Sequence, residues 1–144
     1  MCIRDRNMKA SKQEIESFLA VDFPQNPCEV LEVNEDFCMV RYPINEDALR
    51  PGGTVSGPAM FFAADVALYV AVLSKIGIVP LAVTSQITIN FLRKPTANAN
   101  LLAQAKLLKQ GKTLLYGEVF IYSEHHSDPV AHAIGTYIAP SNKG

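Results

Sequence analysis

The chain has 144 residues, the length of a single domain that can bury a core without disulfide bonds or a structural metal. Apolar residues make up 49% and charged residues 19%, which is a globular composition and excludes a disordered chain. Lys and Arg number 13, Asp and Glu number 14, and the net charge is −1. This balance excludes the basic surface of a nucleic-acid binder and a polybasic membrane anchor.

The cysteines and the N-terminus indicate a reducing compartment. Cys2, Cys28 and Cys38 form no C-x-x-C pair and no zinc-binding spacing, so we expect free thiols, no metal site and a cytoplasmic location. No apolar stretch of the signal-peptide kind follows Met1. We expect residues 1–9 to be a disordered or extraneous segment and residues 10–144 to be one domain.

Helix and strand signals give the order of the elements. Ser11 and Glu14 have the spacing of a capping box, so a short helix is expected over residues 12–21, ended by Pro24. The elements expected after it are a β-rich region over 29–42 with a turn at 34–36, a loop over 43–55, a long helix over 57–77, and strands over 83–92, 100–109, 113–123 and 129–139. A long helix followed by a meander predicts an α+β domain, with an antiparallel sheet wrapped around one long central helix.

The long helix is the most apolar stretch of the chain. Ser56 is its expected N-cap and Pro58 lies in its first turn, whereas Gly77 and Pro80 end it. Such a helix either spans a membrane or forms a buried core. Asp65 would cost about 2.5–3.5 kcal/mol in hydrocarbon, and the amphipathic strands need an apolar partner, so we predict a core helix.

Asp65 is the only acidic residue of this helix and the main candidate for chemistry. Its neighbours at three and four residues, among them Phe61 and Leu68, are bulky and apolar, whereas the opposite face is small enough for a sheet to approach closely. A buried Asp is rarely unpaired. Two interpretations stay open: a structural Asp paired with a cation or a backbone donor, and a general base or nucleophile in a partly desolvated site.

The start of the helix supplies a second candidate group. N–H groups at a helix N-terminus polarise carbonyls, and Gly57 has no side chain to block access; the alternative is an ordinary N-cap. Gly57 and Asp65 are separated by about 12 Å along a helix axis. They can act on one carbonyl carbon only if they come from different chains. An enzyme of this kind is therefore expected to be a symmetric dimer with two shared sites.

Four strings occur in an order typical of a known family. They are residues 50–58 with Asp65 eight residues after Gly57, residues 84–93 (TSQITINFLR), residues 108–113 around a central Gly, and residues 131–136 (AHAIGT). Over about residues 28–139 the chain resembles the hotdog-fold acyl-CoA thioesterases of the PaaI type, within the 4-hydroxybenzoyl-CoA thioesterase superfamily. The resemblance implies a hotdog fold, acyl-CoA as substrate, no cofactor besides the coenzyme A of the substrate, and a dimer or dimer of dimers.

The resemblance also implies roles for individual residues. Asp65 would be the base or nucleophile toward the thioester, and the Gly57 N–H would polarise the thioester carbonyl. Thr84, at the family's Ser/Thr position, would hold a water beside Asp65. The family's sites lie between subunits, in agreement with the axial distance above.

Further residues are candidates for substrate binding. Ser56 stands where the family has His, and Arg50 stands where it has Asn; Arg50 either meets an acidic substrate group or is a solvated loop cation. Arg93 and Lys94 either contact the phosphates of coenzyme A or form a solvated strand end. Phe61, with its neighbours Phe62 and Leu68, favours an aryl or medium-chain acyl group. The family's second Gly is Pro58 here.

Other hypotheses stay open beside hydrolysis. A non-catalytic acyl-CoA-binding protein is compatible with the loss of the family His, because a fold does not determine a function. A hydroxyacyl dehydratase or hydratase is disfavoured, because no His lies near the helix start. His125, His126 and Asp128 share one turn and could suggest a metal site. Adjacent histidines in a strand point to opposite faces, however, and a third convergent ligand is missing, so a polar turn is expected. His132 is expected to be a satisfied or exposed strand residue, and Glu118 is expected to face solvent, with a place at an interface as the alternative.

Overall fold

The computed structural model describes residues 8–45, 49, 54–96 and 98–140. Within these residues the chain forms α1 (Lys12–Asp22), β1 (Glu29–Val33), β2 (Cys38–Tyr42), α2 (Gly57–Ile76), β3 (Val83–Phe91), β4 (Leu101–Gln110), β5 (Leu114–Ser123) and β6 (Pro129–Ile138). The predicted order of elements is confirmed, with boundaries that agree to about one residue. Much of the predicted loop over 43–55, Arg50 included, lies outside the described residues.

Capping residues set the ends of both helices. The Ser11 N–H donates to Glu14 Oε1 over 2.9 Å and the Glu14 N–H donates to Ser11 Oγ over 3.1 Å, so the predicted capping box forms. α2 begins directly after its N-cap, Ser56, as predicted. Its C-cap, Gly77, has a φ of 93°, a conformation that glycine adopts without strain. The local signals in the sequence are therefore the ones that end these helices.

The strands form one antiparallel sheet in the order β1-β2-β4-β5-β6-β3. β4, β5 and β6 follow one another as a meander, and at the β4–β5 turn the Gly111 N–H donates to the Leu114 carbonyl over 2.8 Å. The predicted meander does not include β3, which pairs with β6, while β2 takes the place beside β4. The long segment between β3 and β4 permits this, because only short turns oblige consecutive strands to be neighbours.

α2 lies across one face of the sheet and forms the centre of the core. It is long and apolar enough to cross a membrane, but two thirds of its most apolar part is buried within the fold. Its small residues Ala63, Ala67 and Val70 are fully buried, which lets the sheet approach closely. The predicted core helix and the α+β architecture, with a sheet wrapped around one long helix, are therefore confirmed.

Leu68 shows how closely α2 approaches the sheet. A Cβ atom on Gly117 would lie 2.7 Å from Leu68 Cδ1, and one on Gly135 would lie 2.9 Å from Leu68 Cδ2. Leu68 is 1% exposed, so it fills a hollow that two strand glycines leave open. The prediction that Leu68 helps to line a substrate site is therefore wrong, because this face of the helix completes the core.

β3 is the outermost strand on its side of the sheet and is exposed along much of its length. Val83 and Phe91, at its two ends, are 54% and 53% exposed, and the following Leu92 is 52% exposed. An edge strand of nine residues with apolar side chains offers open backbone groups to another strand. β3 therefore leaves its outer edge without a strand partner among the described residues.

Candidate active site

Three side chains converge at the middle of α2. The Asp65 carboxylate accepts two hydrogen bonds at one oxygen, Oδ1: from the Thr84 hydroxyl over 2.8 Å and from the Tyr137 hydroxyl over 2.7 Å. The Tyr137 hydroxyl also lies 3.3 Å from the Asp65 main-chain oxygen. In the part of the chain that the structure describes, neither a cation nor a backbone donor contacts this carboxylate. The sequence left open a structural Asp paired with a cation or a backbone donor. The described residues instead pair Asp65 with two side-chain hydroxyls.

The register of the sheet brings the two hydroxyls together. Thr84 on β3 and Tyr137 on β6 are direct cross-strand partners. Side chains of paired residues on one face lie close enough to reach a common group. The register shifts between Thr84 and Gln86, so a bulge interrupts the regular alternation immediately after Thr84. Pairing and bulge together direct both hydroxyls toward Asp65 on the helix.

Tyr137 is a buried hydrogen-bond donor. It is 3% exposed, and its ring stacks on that of Tyr69 with centroids 5.7 Å apart and planes 19° apart. Burial raises the pKa of Tyr137 far above its usual range, and the charge of the nearby Asp65 carboxylate adds to the increase. The phenol therefore stays protonated near neutral pH and donates a hydrogen bond to the carboxylate.

The first turn of α2 leaves one backbone donor available. Ser56 Oγ accepts a hydrogen bond from the Ala59 N–H over 3.2 Å, and the Ser56 carbonyl accepts one from the Met60 N–H over 3.2 Å. Pro58 has no N–H. The Gly57 N–H has no acceptor among the described residues, as expected for the first N–H of a helix. Ser56 is therefore the predicted N-cap, and Gly57 is the residue of this turn whose N–H is open to a ligand.

The backbone donor and the carboxylate lie toward opposite ends of β3. Asp65 contacts Thr84, near the first residue of β3, whereas a Cβ on Gly57 would lie 3.3 Å from Phe91 Cζ, at the last residue of β3. Gly57 and Asp65 are also about 12 Å apart along the axis of α2. One protomer therefore does not bring these two groups to a common point.

A cavity opens beside the hydroxyls that hold Asp65. Its volume is about 490 Å³, within the range of small-molecule sites. Thr84 and Tyr137 form part of its wall, and Phe18 and Tyr69, whose ring centroids are 6.3 Å apart, form another part. The other lining residues are Asp22, Phe23, Pro80, Ala82 and Val83. The cavity can therefore hold an apolar group next to Thr84 and Tyr137, the two residues that contact Asp65.

Two of the predicted substrate-binding residues are on or before α2. Phe61 lies one turn before Asp65 and is 40% exposed, so its ring is free to contact another molecule. Ser56 uses its hydroxyl as the N-cap, as described above. Arg50 lies outside the described residues.

The two predicted cationic residues follow the end of β3. Arg93 and Lys94 are exposed, and Arg93 Nη1 lies 3.6 Å from Asp128 Oδ2. They follow Leu92, just beyond the end of the strand at which the Phe91 ring lies close to Gly57. Within one protomer they are therefore on the side of the backbone donor and not of the carboxylate.

The polar clusters elsewhere have local partners. His132 Nε2 lies 3.0 Å from Glu118 Oε1 on the neighbouring strand, which confirms the expectation of a satisfied strand His. His126 Nε2 lies 3.4 Å from Thr96 Oγ1 in the predicted polar turn. Across the described ranges, no three His, Cys, Asp or Glu side chains gather as metal ligands would.

Sequence reasoning did not single out Tyr137. The residue is 72 positions from Asp65, and their contact depends on strand pairing that no local pattern reveals. A signal was present in β6, whose buried face carries Ala131, Ala133, Gly135 and Tyr137 in alternation. A lone Tyr on such a face needs an acceptor for its hydroxyl, and Asp65 is the acceptor found.

Comparisons with known proteins place these features in a family. The thioesterase superfamily profile matches residues 52–130 of the chain. A solved structure of a candidate thioesterase from Silicibacter sp. TM1040 is 39% identical, with a TM-score of 0.85, over 92% of this chain and 94% of that one. No curated protein matches the sequence.

More distant solved structures share the fold. The E. coli PaaI protein from the phenylacetic acid degradation operon is 24% identical with a TM-score of 0.77, over 90% of this chain and 92% of that one. A hypothetical thioesterase from Streptococcus pneumoniae TIGR4, solved with coenzyme A, is 20% identical with a TM-score of 0.68, over 81% and 91% of the two chains. At these identities the likeness shows the fold alone. The predicted hotdog fold and the PaaI-type resemblance are confirmed, and the chain belongs to the thioesterase superfamily.

Proposed function

We propose that this protein hydrolyses the thioester bond of an acyl-CoA. The observation that carries the proposal is the Asp65 carboxylate, held at one oxygen by two hydroxyls beside a cavity of about 490 Å³. Hydrolysis adds water across the carbon–sulfur bond, so the acyl group leaves as an acid and the sulfur as a thiol. A carboxylate can take the proton of the attacking water or attack the carbonyl carbon itself. Membership of the thioesterase superfamily supports this reaction class.

Thr84 is proposed to orient the attacking water. Its hydroxyl proton is used in the hydrogen bond to Asp65 Oδ1, so its lone pairs can accept one proton of a water. The second proton of that water can then point at the carboxylate. A water held through both protons directs a lone pair outward, which is the orientation needed for attack on a carbonyl carbon.

Gly57 of the partner subunit is proposed to polarise the thioester carbonyl. β3 is an exposed edge strand, with Asp65 near its first residues and Gly57 near its last. Antiparallel pairing of two β3 strands across a two-fold axis would set the Thr84 end of one against the Phe91 end of the other. We therefore propose a homodimer with two shared sites, able to associate further as a dimer of dimers.

The substrate is proposed to be an aryl- or medium-chain acyl-CoA. The aromatic wall of the cavity and the exposed ring of Phe61 suit an apolar acyl group. Arg93 and Lys94 suit the phosphates of coenzyme A, and Ser56 and Arg50 are proposed to lie beside the substrate at the helix start. Coenzyme A is part of the substrate, and the proposed reaction uses no other cofactor. We propose a cytoplasmic location.

Thiol release from a panel of aryl and fatty acyl-CoAs tests the proposal. Asp65→Asn removes the base or nucleophile and keeps the side-chain volume, so kcat is expected to fall about 10²- to 10⁴-fold. Asp36→Asn makes the same chemical change in the exposed turn between β1 and β2, so it should leave kcat unchanged. The hydrodynamic size of each variant, compared with the wild type, controls for loss of assembly.

A non-catalytic acyl-CoA-binding protein is the second candidate. Ser56 stands where the family has His, and its hydroxyl is used to cap α2, which favours this candidate. Such a protein would bind acyl-CoA saturably without releasing thiol. Absence of turnover across the whole panel would contradict the hydrolase proposal, and turnover that survives Asp65→Asn would contradict the role of Asp65 as base or nucleophile.

A further inference from the structure

We propose that Tyr137 is a positioning residue that, together with Thr84, occupies Asp65 Oδ1 and so assigns the reaction to the other carboxylate oxygen, Oδ2. The inference rests on the proposed thioester hydrolysis and adds to it the identity of the reacting atom. Tyr137 would act through Asp65 without touching the substrate carbonyl.

The hydrogen bonds distinguish the two oxygens of Asp65. Oδ1 accepts from Thr84 over 2.8 Å and from Tyr137 over 2.7 Å, which uses both of its lone pairs. No residue in the described part of the chain donates to Oδ2. An oxygen with two strong donors is less basic and less nucleophilic than one without donors. The oxygen that can take a proton or attack carbon is therefore Oδ2.

Packing holds Tyr137 in place. The residue is 3% exposed, its ring stacks on Tyr69, and its strand β6 lies between β5 and β3 in the sheet. It is also the cross-strand partner of Thr84, so the two donors are set by one backbone register. A rigid donor on each side of Oδ1 restricts rotation of the carboxylate about its carbon–carbon bond.

The chemistry of the phenol fits a positioning role. Burial, together with the charge of Asp65, raises the pKa of Tyr137 above its usual range, so the phenol is protonated near neutral pH. What it supplies is a fixed hydrogen bond to a charged acceptor, the stronger class of hydrogen bond.

The proposed step balances with Oδ2 as the acceptor. The water oxygen bonds to the thioester carbon, the π pair of the carbonyl moves onto the carbonyl oxygen, and one water proton moves to Asp65 Oδ2. The π bond re-forms as the carbon–sulfur bond breaks, the electron pair of the broken bond stays on sulfur, and the proton returns from Oδ2 to the sulfur to give the free thiol. The second water proton stays on the acid product. Thr84 retains its own proton and continues to hold Oδ1 with Tyr137.

Tyr137→Phe tests the proposal by removing one hydroxyl from a ring that stays in place. Because the remaining ring still lines the cavity, KM should stay within about twofold, whereas kcat should fall about tenfold through loss of a hydrogen bond to a charged group. Tyr122→Phe, the same change on β5 away from the site, should leave both unchanged. Unchanged kcat in Tyr137→Phe would overturn the proposal.

A double variant separates positioning from packing. Either donor alone still holds Oδ1, so loss of both Tyr137 and Thr84 hydroxyls, in Tyr137→Phe with Thr84→Val, should lower kcat by more than the product of the two single effects. Purely structural roles predict effects that simply multiply, with lower melting temperatures in parallel. A multiplicative result would overturn the shared-oxygen arrangement.

A measurement independent of turnover keeps this inference distinct from the proposed function. The buried Tyr137 hydroxyl proton, bonded to a carboxylate, should give a downfield proton NMR signal in tyrosine-labelled protein. The signal should vanish in Tyr137→Phe and move upfield in Asp65→Asn, because the acceptor loses its charge. Absence of thiol release with this signal present refutes the hydrolase proposal alone. Absence of the Asp65-dependent shift refutes the Tyr137 contact.

Discussion

Mixing two inactive variants tests whether each site is shared between subunits. Gly57 and Asp65 lie about 12 Å apart along α2, whereas a carbonyl donor and a base must meet within about 3 Å of one reacting centre. If the site combines Gly57 of one subunit with Asp65 of the other, Asp65→Asn and Gly57→Val damage different halves of it. A heterodimer of the two variants then carries one intact site and one doubly damaged site.

The expected size of the effect follows from counting sites. Each homodimer contains two damaged sites, so both should show low activity. Random association of equal amounts gives heterodimers as about half of all dimers, and half of their sites are intact, so the mixture should reach about one quarter of wild-type activity. The Gly57→Val side chain shields the N–H, and its Cβ would lie 3.3 Å from the exposed ring of Phe91, which can shift to accept it.

The assay is thiol release after the two variants are unfolded and refolded together, with native mass spectrometry to count heterodimers. Each variant refolded alone gives the baseline. Activity that stays at the sum of the two baselines, although heterodimers are present, would refute the shared site. Full activity of Gly57→Val alone would refute the role of Gly57 as the carbonyl donor.

Two further predictions concern the fold that holds the site. Leu68→Ala removes a fully buried side chain that packs over Gly117 and Gly135, so it should lower the free energy of unfolding in urea titrations by about 3–5 kcal/mol. Leu108→Ala, at a half-exposed position, should change the free energy of unfolding by less than about 1 kcal/mol. Equal effects of the two variants would contradict the packing of Leu68. Hydrogen bonds from Arg41 hold the pKa of Glu124 below its ordinary value of 4.5, so their stabilisation is present above that pH and is lost as the pH falls through the lower native value. The melting temperature of the wild type should therefore exceed that of Glu124→Gln at pH 7 and converge with it as the pH falls below the native pKa of Glu124, and a difference that does not change with pH would contradict the linkage.

Local signals in the sequence were sufficient for the elements and for one half of the site. Ser11 with Glu14, and Ser56 with Gly77, mark helix ends through hydrogen bonds to neighbours within four residues, so their effect does not depend on the rest of the fold. Asp65 could be identified from the sequence because a carboxylate is rare in an apolar helix unless it is paired or functional. An isolated acidic residue in an apolar stretch can be recognised without a structure.

Contacts set by strand pairing could not be predicted in the same way. β3 follows α2 in the chain but pairs with β6, which begins about 38 residues after β3 ends, and the Thr84–Tyr137 pair exists only in that register. A shift of one residue would turn Tyr137 to the other face of the sheet and remove it from Asp65. The hydrogen bond from Tyr137 to Asp65, which depends on this register, could therefore be found only from the structure.

The departures from the family pattern at the start of α2 act on a single turn. Ser56 satisfies the N–H groups of Ala59 and Met60, and Pro58 has none to offer, so the Gly57 N–H has no competing donor in that turn. Ser56, which stands where the family has His, thus retains a cap beside the Gly57 N–H, the proposed carbonyl donor. The aromatic wall beside Thr84 and Tyr137 is a further described surface that can position the acyl group of the proposed substrate.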